Sequence, residues 1–244
     1  MKEITFCTVG TNPALLQARN TLTAWGYHVV NSPDRTVTHM LLPVPSMDEA
    51  NRIRNGPILM DVLSKLKEET TIMGGLLPNL DFPSVDFLKD EYYTAENASI
   101  TAHCALKLIL QNIHYTLNDV PILIIGWGRI GKCLVNLLAS TGAEITVAAR
   151  SEKDRAMLHA LGHHAVSIEL MKADRYTIII NTVPATVLDR KDAAPSALCL
   201  DLASVKGILG ENVFWERGLP GRVAAESSGI LIAKTALRYA LRKE

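Results

Sequence analysis

The stretch that decides the fold is PILIIGWGRIGKCLVNLLASTGAEITVAAR, residues 121–150. It reads as an apolar strand, a glycine-rich turn, an amphipathic helix over 129–140 and a second strand. A G-x-G-x-x-G match alone is weak, but between a strand and a helix, in a unit of about thirty residues, it is a strong signal of dinucleotide binding. The fingerprint predicts cofactor contacts from Gly126, Trp127, Gly128, Arg129, Ile130 and Gly131.

The glycines of this turn match the physical demands of a bound pyrophosphate. One allows a tight turn, one lets the backbone approach the pyrophosphate, and one lets the helix pack closely on the strand. The N-terminus of the following helix offers free N–H groups and a partial positive charge to the phosphates. The segment therefore predicts a Rossmann-like doubly wound parallel sheet, a fold of the α/β class.

Arg150, at the end of the second strand, predicts which dinucleotide is bound. A site for NAD usually places a carboxylate about 20 residues beyond the fingerprint, where it receives ribose hydroxyls. A guanidinium there is permanently charged and can bind a phosphate through two parallel N–H bonds. Ser151 adds a hydroxyl donor and Lys153 a second cation. We therefore expect NADP(H) to be preferred. NAD(H) remains the alternative, because an arginine can also stack on adenine or stay solvated.

Alternating strand and helix patterns predict two α/β domains. In the first half, strands are predicted at 4–10, 27–30, 38–44 and 70–75, and helices at 13–25 and 58–68. The predicted boundaries are 1–92 for a smaller N-terminal α/β domain of flavodoxin or Rossmann type, 93–116 for a connecting helix, 117–222 for the Rossmann domain and 223–244 for a C-terminal helix.

Composition excludes several classes of protein. The 244 residues carry 25 basic and 25 acidic side chains, so the bulk attraction that drives binding to nucleic acid or anionic membranes is absent. No apolar run reaches the roughly 18 residues of a spanning helix, and the N-terminal run has no signal-peptide pattern. The four cysteines are scattered, and the side chains of His163 and His164 point to opposite faces of a strand. We expect a cytoplasmic protein with reduced thiols and no metal site.

Two neighbouring strand ends predict the substrate side of the site. In open α/β sheets, ligands lie beyond the carboxyl ends of the strands. The run INTVPA, residues 180–185, and the run LDLAS, residues 200–204, both end strands. Asp201 and Ser204 therefore belong to the same edge, although a structural capping role for Asp201 is equally expected. Residues predicted to border the nicotinamide are Asn181, Thr182, Val183 and Pro184.

Several segments, in order along the chain, together resemble the family of dipicolinate synthase A subunits. They are LLPVPS (41–46), AENASITAHCALKLIL (95–110), the fingerprint unit (124–150), IINTVPA (179–185), LDLAS (200–204) and GLPGRVAAESSGILIA (218–233). The glycine fingerprint is common among dehydrogenases, whereas the combination of the last three segments is far more particular. The family is also similar to the NAD-binding parts of D-2-hydroxyacid dehydrogenases and S-adenosylhomocysteine hydrolase.

The resemblance implies an oxidoreductase of endospore-forming bacteria that uses a pyridine nucleotide and binds its substrate in a cleft. The implied reaction is oxidation of a dihydrodipicolinate-type compound to dipicolinate, with a flavoprotein-like partner as the second subunit. It also implies roles for Asn97 and Thr101, which share one face of the connecting helix. We expect Lys206 and Arg222 to bind the carboxylates of a small anionic substrate, and the chain to form a homo-oligomer. The sequence identifies no general base.

The chain departs from the family pattern near the expected substrate site. The segment 204–218 is shorter than in the family, so we expect a strand or helix there to be reduced or lost. The run VKGI replaces a Pro-Gly-Gly, and AA replaces AP before the final helix. Two alternatives therefore stay open: a dehydrogenase of another 2-oxo or 2-hydroxy acid, and a nucleotide-binding subunit without activity of its own.

Overall fold

A computed structural model describes residues 4–48, 50 and 52–242 of the chain. The chain divides into two compact units, one formed by Met1–Ile100 with Pro220–Glu244 and the other by Thr101–Leu219. Each unit contains a parallel sheet with helices. The predicted α/β class with a doubly wound sheet is therefore confirmed. Across the described part of the chain, no helix is both long and apolar enough to span a bilayer.

The sheet of the first unit, within the described residues, has five parallel strands in the order β2-β1-β3-β4-β5. This order is that of flavodoxin-like sheets. The strands are β1 Thr5–Thr8, β2 His28–Val30, β3 His39–Leu41, β4 Thr71–Gly74 and β5 Ser84–Asp86. Helices α1 Pro13–Ala24 and α2 Leu59–Leu63 belong to the same unit, and α3 Glu91–Asn112 begins in it.

The second unit contains the Rossmann sheet. As far as the structure describes it, six parallel strands run in the order β13-β11-β9-β6-β7-β8, and β10 and β12 form a separate pair. Read from β8, this is the 3-2-1-4-5-6 order of dinucleotide-binding folds. The strands are β6 Pro121–Ile125, β7 Glu144–Ala148, β8 His164–Val166, β9 Ile178–Asn181, β10 Leu188–Asp189, β11 Leu198–Asp201, β12 Ile208–Leu209 and β13 Val213–Trp215, and the helices are α4 Arg129–Ala139 and α5 Glu152–Ala160.

Burial explains why the central strands are continuous apolar runs. The β6 residues Ile122 to Ile125 are fully buried, as expected for a parallel strand covered on both faces. Helix α4 buries Leu134, Val135 and Leu138 on one face. A strand and an amphipathic helix thus meet at the glycine turn, which fixes that turn in space.

Two short elements differ from the sequence prediction. Helix α2 ends at Leu63, well before residue 68, because the N–H groups of Lys65 and Leu66 bond three residues back and close the helix in a tight turn. The segment 204–218 keeps two strands, β12 and β13, of two and three residues. The segment thus contains two short strands, and β13 pairs with β11; its reduction relative to the family stays a prediction.

The C-terminal helices α6 (Leu219–Val223) and α7 (Ala225–Ala240) show where the unit boundaries differ from the predicted ones. From Pro220 onward the chain belongs to the first unit, because the apolar face of α7 joins a core that contains Leu15 and Leu22 of α1. The division between the units also falls within α3, after Ile100. The predicted connecting and C-terminal helices are therefore parts of the units and do not stand apart from them.

Candidate functional site

The glycine turn after β6 requires glycine at Gly126 and Gly131, the first and third glycines of the fingerprint, for reasons internal to the protein. Gly126 has φ +107°, in the left-handed region that favours glycine, and a Cβ there would overlap Thr182 Oγ1. A Cβ at Gly131 would overlap the carbonyl oxygen of Gly126. The first turn of α4 therefore packs directly against the backbone at the end of β6, with no room for a side chain between them.

Gly128 is different, because a Cβ built on it meets nothing within 4 Å. Its φ of −79° suits any residue, so neither packing nor conformation demands glycine. Gly128 is the N-cap of α4 and has no side chain to cap the helix, so it leaves the first-turn N–H groups without a side-chain cap. An open cradle at a helix N-terminus fits a pyrophosphate, which needs both the N–H donors and the missing Cβ.

The remaining fingerprint side chains lie around this cradle. Arg129, the first residue of α4, is exposed, while Trp127 and Ile130 are half-buried. The ammonium of Lys132 lies 5.7 Å from the centroid of the Trp127 ring. Sequence reasoning missed Lys132, which follows the fingerprint directly and adds a second positive charge to the first turn of α4.

The predicted ribose-reading residues come together at the carboxyl end of β7. Arg150 is exposed, and Ser151 is the N-cap of α5, where its hydroxyl accepts a hydrogen bond from Asp154 N at 3.3 Å. Lys153 is exposed in the first turn of the same helix. The sequence prediction missed Arg155. Its guanidinium lies at the same strand end and donates hydrogen bonds to the carbonyl groups of Ala149 and Arg150.

A carboxylate, Glu169, lies within electrostatic reach of these cations. It follows β8, the neighbour of β7 in the sheet. A hydrogen bond from its own backbone N–H, and then one from the Ser167 hydroxyl, hold the pKa of Glu169 below its usual range, and the charges of Arg155 and Arg150 lower it further. The sequence alone does not identify Glu169, because its place near the arginines depends on the pairing of β8 with β7 in the folded sheet.

At the carboxyl ends of β9 and β11, Asn181 and Asp201 are both fully buried. Asp201 Oδ1 accepts hydrogen bonds from Asn181 Nδ2 (2.9 Å) and Ala203 N (3.0 Å). Its Oδ2 accepts from Gly207 N (2.7 Å) and Ile208 N (2.9 Å). A carboxylate with four donors has no acceptor site left for a ligand. Of the two roles expected for Asp201, these hydrogen bonds support the structural one, in which the carboxylate holds the loop after β11.

The side chains of Asn181 and Thr182 hold the loop after β9, as Asp201 holds the loop after β11. Asn181 Oδ1 accepts from Val183 N at 2.9 Å, and the Thr182 hydroxyl donates to Ile125 O at 2.9 Å. These bonds fix the loop after β9 next to the glycine turn, which positions the exposed Pro184 at the sheet edge. The side chains of Asn181 and Thr182 thus bind protein groups and fix the shape of this loop, and their contact with a cofactor stays a prediction.

The other predicted substrate residues are distributed over both units. Ser204 is exposed, and Lys206 Nζ donates to Gly210 O at 3.2 Å in the second unit. Thr101 is 6% exposed. Asn97 is half-buried and Arg222 exposed, and both belong to the first unit. Their roles stay predictions.

Two cavities lie away from the glycine turn. One of about 530 Å³ is lined by residues that include Pro121, Glu144 and His164, which begin β6, β7 and β8. This is the amino edge of the sheet, opposite the edge where such sheets bind ligands. Another, of about 610 Å³, lies beside Glu169 and Val187. We place the candidate site at the glycine turn, because a dinucleotide is bound through its pyrophosphate at a helix N-terminus, and the described residues that line the two cavities include no N-terminus of an α-helix.

Comparison with known proteins finds no matching family model. The chain is 29% identical over 150 residues to the A subunit of dipicolinate synthase from Bacillus subtilis strain 168, a match covering 56% of this chain and 50% of that protein. The match thus spans about half the length of this relative. The crystal structure of the A chain of dipicolinate synthase from Bacillus subtilis has a TM-score of 0.81 at 20% identity, with 98% and 97% of the two chains covered.

Two further solved structures share the fold. The A subunit of dipicolinate synthase from Bacillus halodurans has a TM-score of 0.87 at 18% identity, with 99% of each chain covered. A transhydrogenase from Sinorhizobium meliloti has a TM-score of 0.68 at 11% identity, with 96% and 93% covered. The resemblance to dipicolinate synthase A subunits is therefore confirmed, and the chain has the fold of NAD(P)-binding oxidoreductases.

Proposed function

We propose that this chain is an NADP(H)-dependent oxidoreductase that resembles the A subunit of dipicolinate synthase and oxidises a dihydrodipicolinate-type substrate to dipicolinate. The observation that carries the proposal is the open cradle at Gly128, at the end of β6 in a sheet of Rossmann order. The exposed cation at Arg150 supports the choice of NADP(H), and the name of the matched relatives supports the substrate class.

Each part of the site has a task in this proposal. The uncapped N-terminus of α4 binds the pyrophosphate through its N–H groups. Arg150 binds the 2′-phosphate through its guanidinium. The loop after β9, held by Asn181 and Thr182, shapes the nicotinamide side of the site. The bound nucleotide supplies the hydride acceptor, so the protein's own contribution is mainly to bind and orient the reactants.

Aromatisation of a dihydropyridine removes one hydride and one proton from the substrate. The two carboxylates of such a substrate need cationic or N–H partners. In the second unit we propose Lys206 for this task, since its ammonium donates to a backbone carbonyl, that of Gly210, and can exchange this partner for a substrate carboxylate. We also propose a homo-oligomeric state and a second, flavoprotein-like partner protein.

The test is a binding and turnover assay on the purified chain, with and without the proposed partner. We expect NADPH to bind more tightly than NADH, and NADP⁺ to be reduced as a dihydrodipicolinate is converted to dipicolinate. Reduction of simple 2-oxo acids would favour a different dehydrogenase. Binding of nucleotide without turnover of either substrate would favour a subunit that has no activity of its own.

A further inference from the structure

Arg155 reaches from the first turns of α5 back to the end of β7. One terminal nitrogen of its guanidinium, Nη1, donates to Ala149 O at 2.8 Å and to Arg150 O at 2.7 Å. These carbonyl groups stand on either side of the Cα of Arg150. The backbone from which Arg150 projects is therefore held by a charged side chain as well as by the sheet.

This arrangement also changes the charge at the strand end. Carbonyl oxygens carry partial negative charge and would repel a phosphate brought close to them. The Arg155 guanidinium neutralises two of them and adds a positive charge beside that of Arg150. The lowered pKa of Glu169, to which both arginines contribute, is a separate sign that the two charges act on one region.

We propose that Arg155 is a positioning residue for coenzyme selectivity, which fixes the backbone at Arg150 so that Arg150 can bind the 2′-phosphate of NADP(H). This inference rests on the proposed function. A guanidinium on a fixed backbone loses less conformational entropy when it binds phosphate than one on a mobile turn. NAD(H) has no 2′-phosphate, so its affinity does not depend on this geometry.

The test compares dissociation constants for NADPH and NADH, measured through nicotinamide fluorescence. The variants are R155Q, R155K, R150Q and R175Q. The R175Q variant is the matched control, because Arg175 is an exposed arginine that precedes β9, at the amino edge of the same sheet. We expect R155Q to weaken NADPH binding by about tenfold, with NADH binding unchanged. R155K should recover part of the loss, and R175Q should resemble the wild type.

The outcomes separate this inference from the proposed function. If R150Q loses the preference for NADPH and R155Q retains it, the positioning role is wrong while the coenzyme assignment stands. Equal weakening of NADPH and NADH binding by R155Q would mean that Arg155 only supports the fold, and this also overturns the inference. If circular dichroism shows that R155Q is unfolded, R155K provides the test. A preference of R155K for NADPH as strong as that of the wild type contradicts the positioning role of Arg155. Failure of the wild type to bind either nucleotide overturns both proposals.

Discussion

Gly128 and Gly131 lie three residues apart on one turn, yet their missing side chains have different consequences. A Cβ at Gly131 would strike the backbone of Gly126, which cannot move without displacing β6. A Cβ at Gly128 meets no protein atom within 4 Å. Gly131 is therefore required by the fold, whereas Gly128 leaves space for a ligand.

These two positions form a matched pair of variants. We expect Gly131→Ala to lower the free energy of unfolding by about 2 kcal/mol or more, because the overlap involves backbone. Gly128→Ala should change it by less than about 1 kcal/mol and still weaken NADPH binding, because the methyl group takes the place of the pyrophosphate. Urea unfolding and NADPH titration measure the two effects. Unchanged NADPH affinity in Gly128→Ala would contradict the location of the site.

Arg150 carries the coenzyme preference in the proposed function. We expect the wild type to bind NADPH more tightly than NADH, and Arg150→Asp to lose most of that preference, because a carboxylate repels a 2′-phosphate and accepts ribose hydroxyls. Titration of both nucleotides against wild type and variant measures this. Equal affinities in the wild type would remove the assignment of NADP(H).

Glu169 opposes the arginines at the same edge. Replacing it by glutamine removes a negative charge near the proposed phosphate position while keeping the size of the side chain. We expect E169Q to bind NADPH about two- to threefold more tightly in dilute buffer, with less difference at high salt, because exposed charges interact weakly and are screened. NADH binding serves as the internal control. Weaker NADPH binding by E169Q would indicate instead that the carboxylate contacts the coenzyme.

Among the helices, α1 and α7 pack most closely at Gly229. A Cβ there would lie 2.6 Å from Ala14 O and 2.8 Å from Ala18 N. Both atoms belong to the α1 backbone, so neither can turn aside as a flexible side chain would. The contact explains the glycine in the second turn of α7.

We expect Gly229→Ala to destabilise the protein by about 1–3 kcal/mol, since it forces α7 away from α1. Gly221→Ala is the control, because a Cβ at Gly221 would meet only Ala14 Cβ at the ordinary distance of 3.8 Å. Thermal and urea unfolding compare the two variants. Equal stability of both would show that the helices adjust without cost, and would contradict the close packing.

At the scale of the whole molecule, Asp90 joins the start of α3 to the last helix. Asp90 Oδ1 accepts from Tyr93 N at 2.7 Å, and Oδ2 accepts from Arg238 Nη2 at 2.5 Å and from the Tyr239 hydroxyl at 2.6 Å. Burial by itself would raise the pKa of Asp90, but these hydrogen bonds outweigh burial and lower it to about 2. The ionised carboxylate is therefore the form that stabilises the first unit.

The pKa of Asp90 is lower in the folded state than in the unfolded chain, so the stability of the protein depends on pH. The stabilisation is complete above the unfolded pKa, about 3.9, and is lost as pH falls through the folded pKa. We expect Asp90 to contribute about 2 kcal/mol that disappears between roughly pH 4 and pH 2. Urea unfolding against pH should show a shallower acid decline in D90N than in the wild type. Parallel curves for the two proteins would contradict the assignment.

The parts of the structure that could be predicted from sequence are those set by local patterns. The apolar run of β6, the glycine turn and the helix after it needed no knowledge of distant residues, and the buried strands β9 and β11 were recognisable for the same reason. The strands Ser84–Asp86 and Val213–Trp215 were not predicted.

Contacts that form only in the folded chain account for what the sequence left open. The structural role of Asp201, one of its two expected roles, depends on donors from Asn181 and from residues 203, 207 and 208 that converge only in the folded loop. Glu169 reaches the arginines because β8 lies beside β7 in the sheet. In the same way, the apolar stripe of α7 was visible in sequence, but its partner α1 lies more than two hundred residues away along the chain, and only the structure identifies it.

The two units differ in continuity, and this has a consequence for biosynthesis. The second unit is one uninterrupted segment, so all of it has been synthesised before α7 exists. The first unit begins with β1 yet lacks the cover for α1 until residues 225–240 have left the ribosome. During translation the second unit can therefore complete its fold first, while the apolar face of α1 in the first unit stays uncovered until α7 has been made.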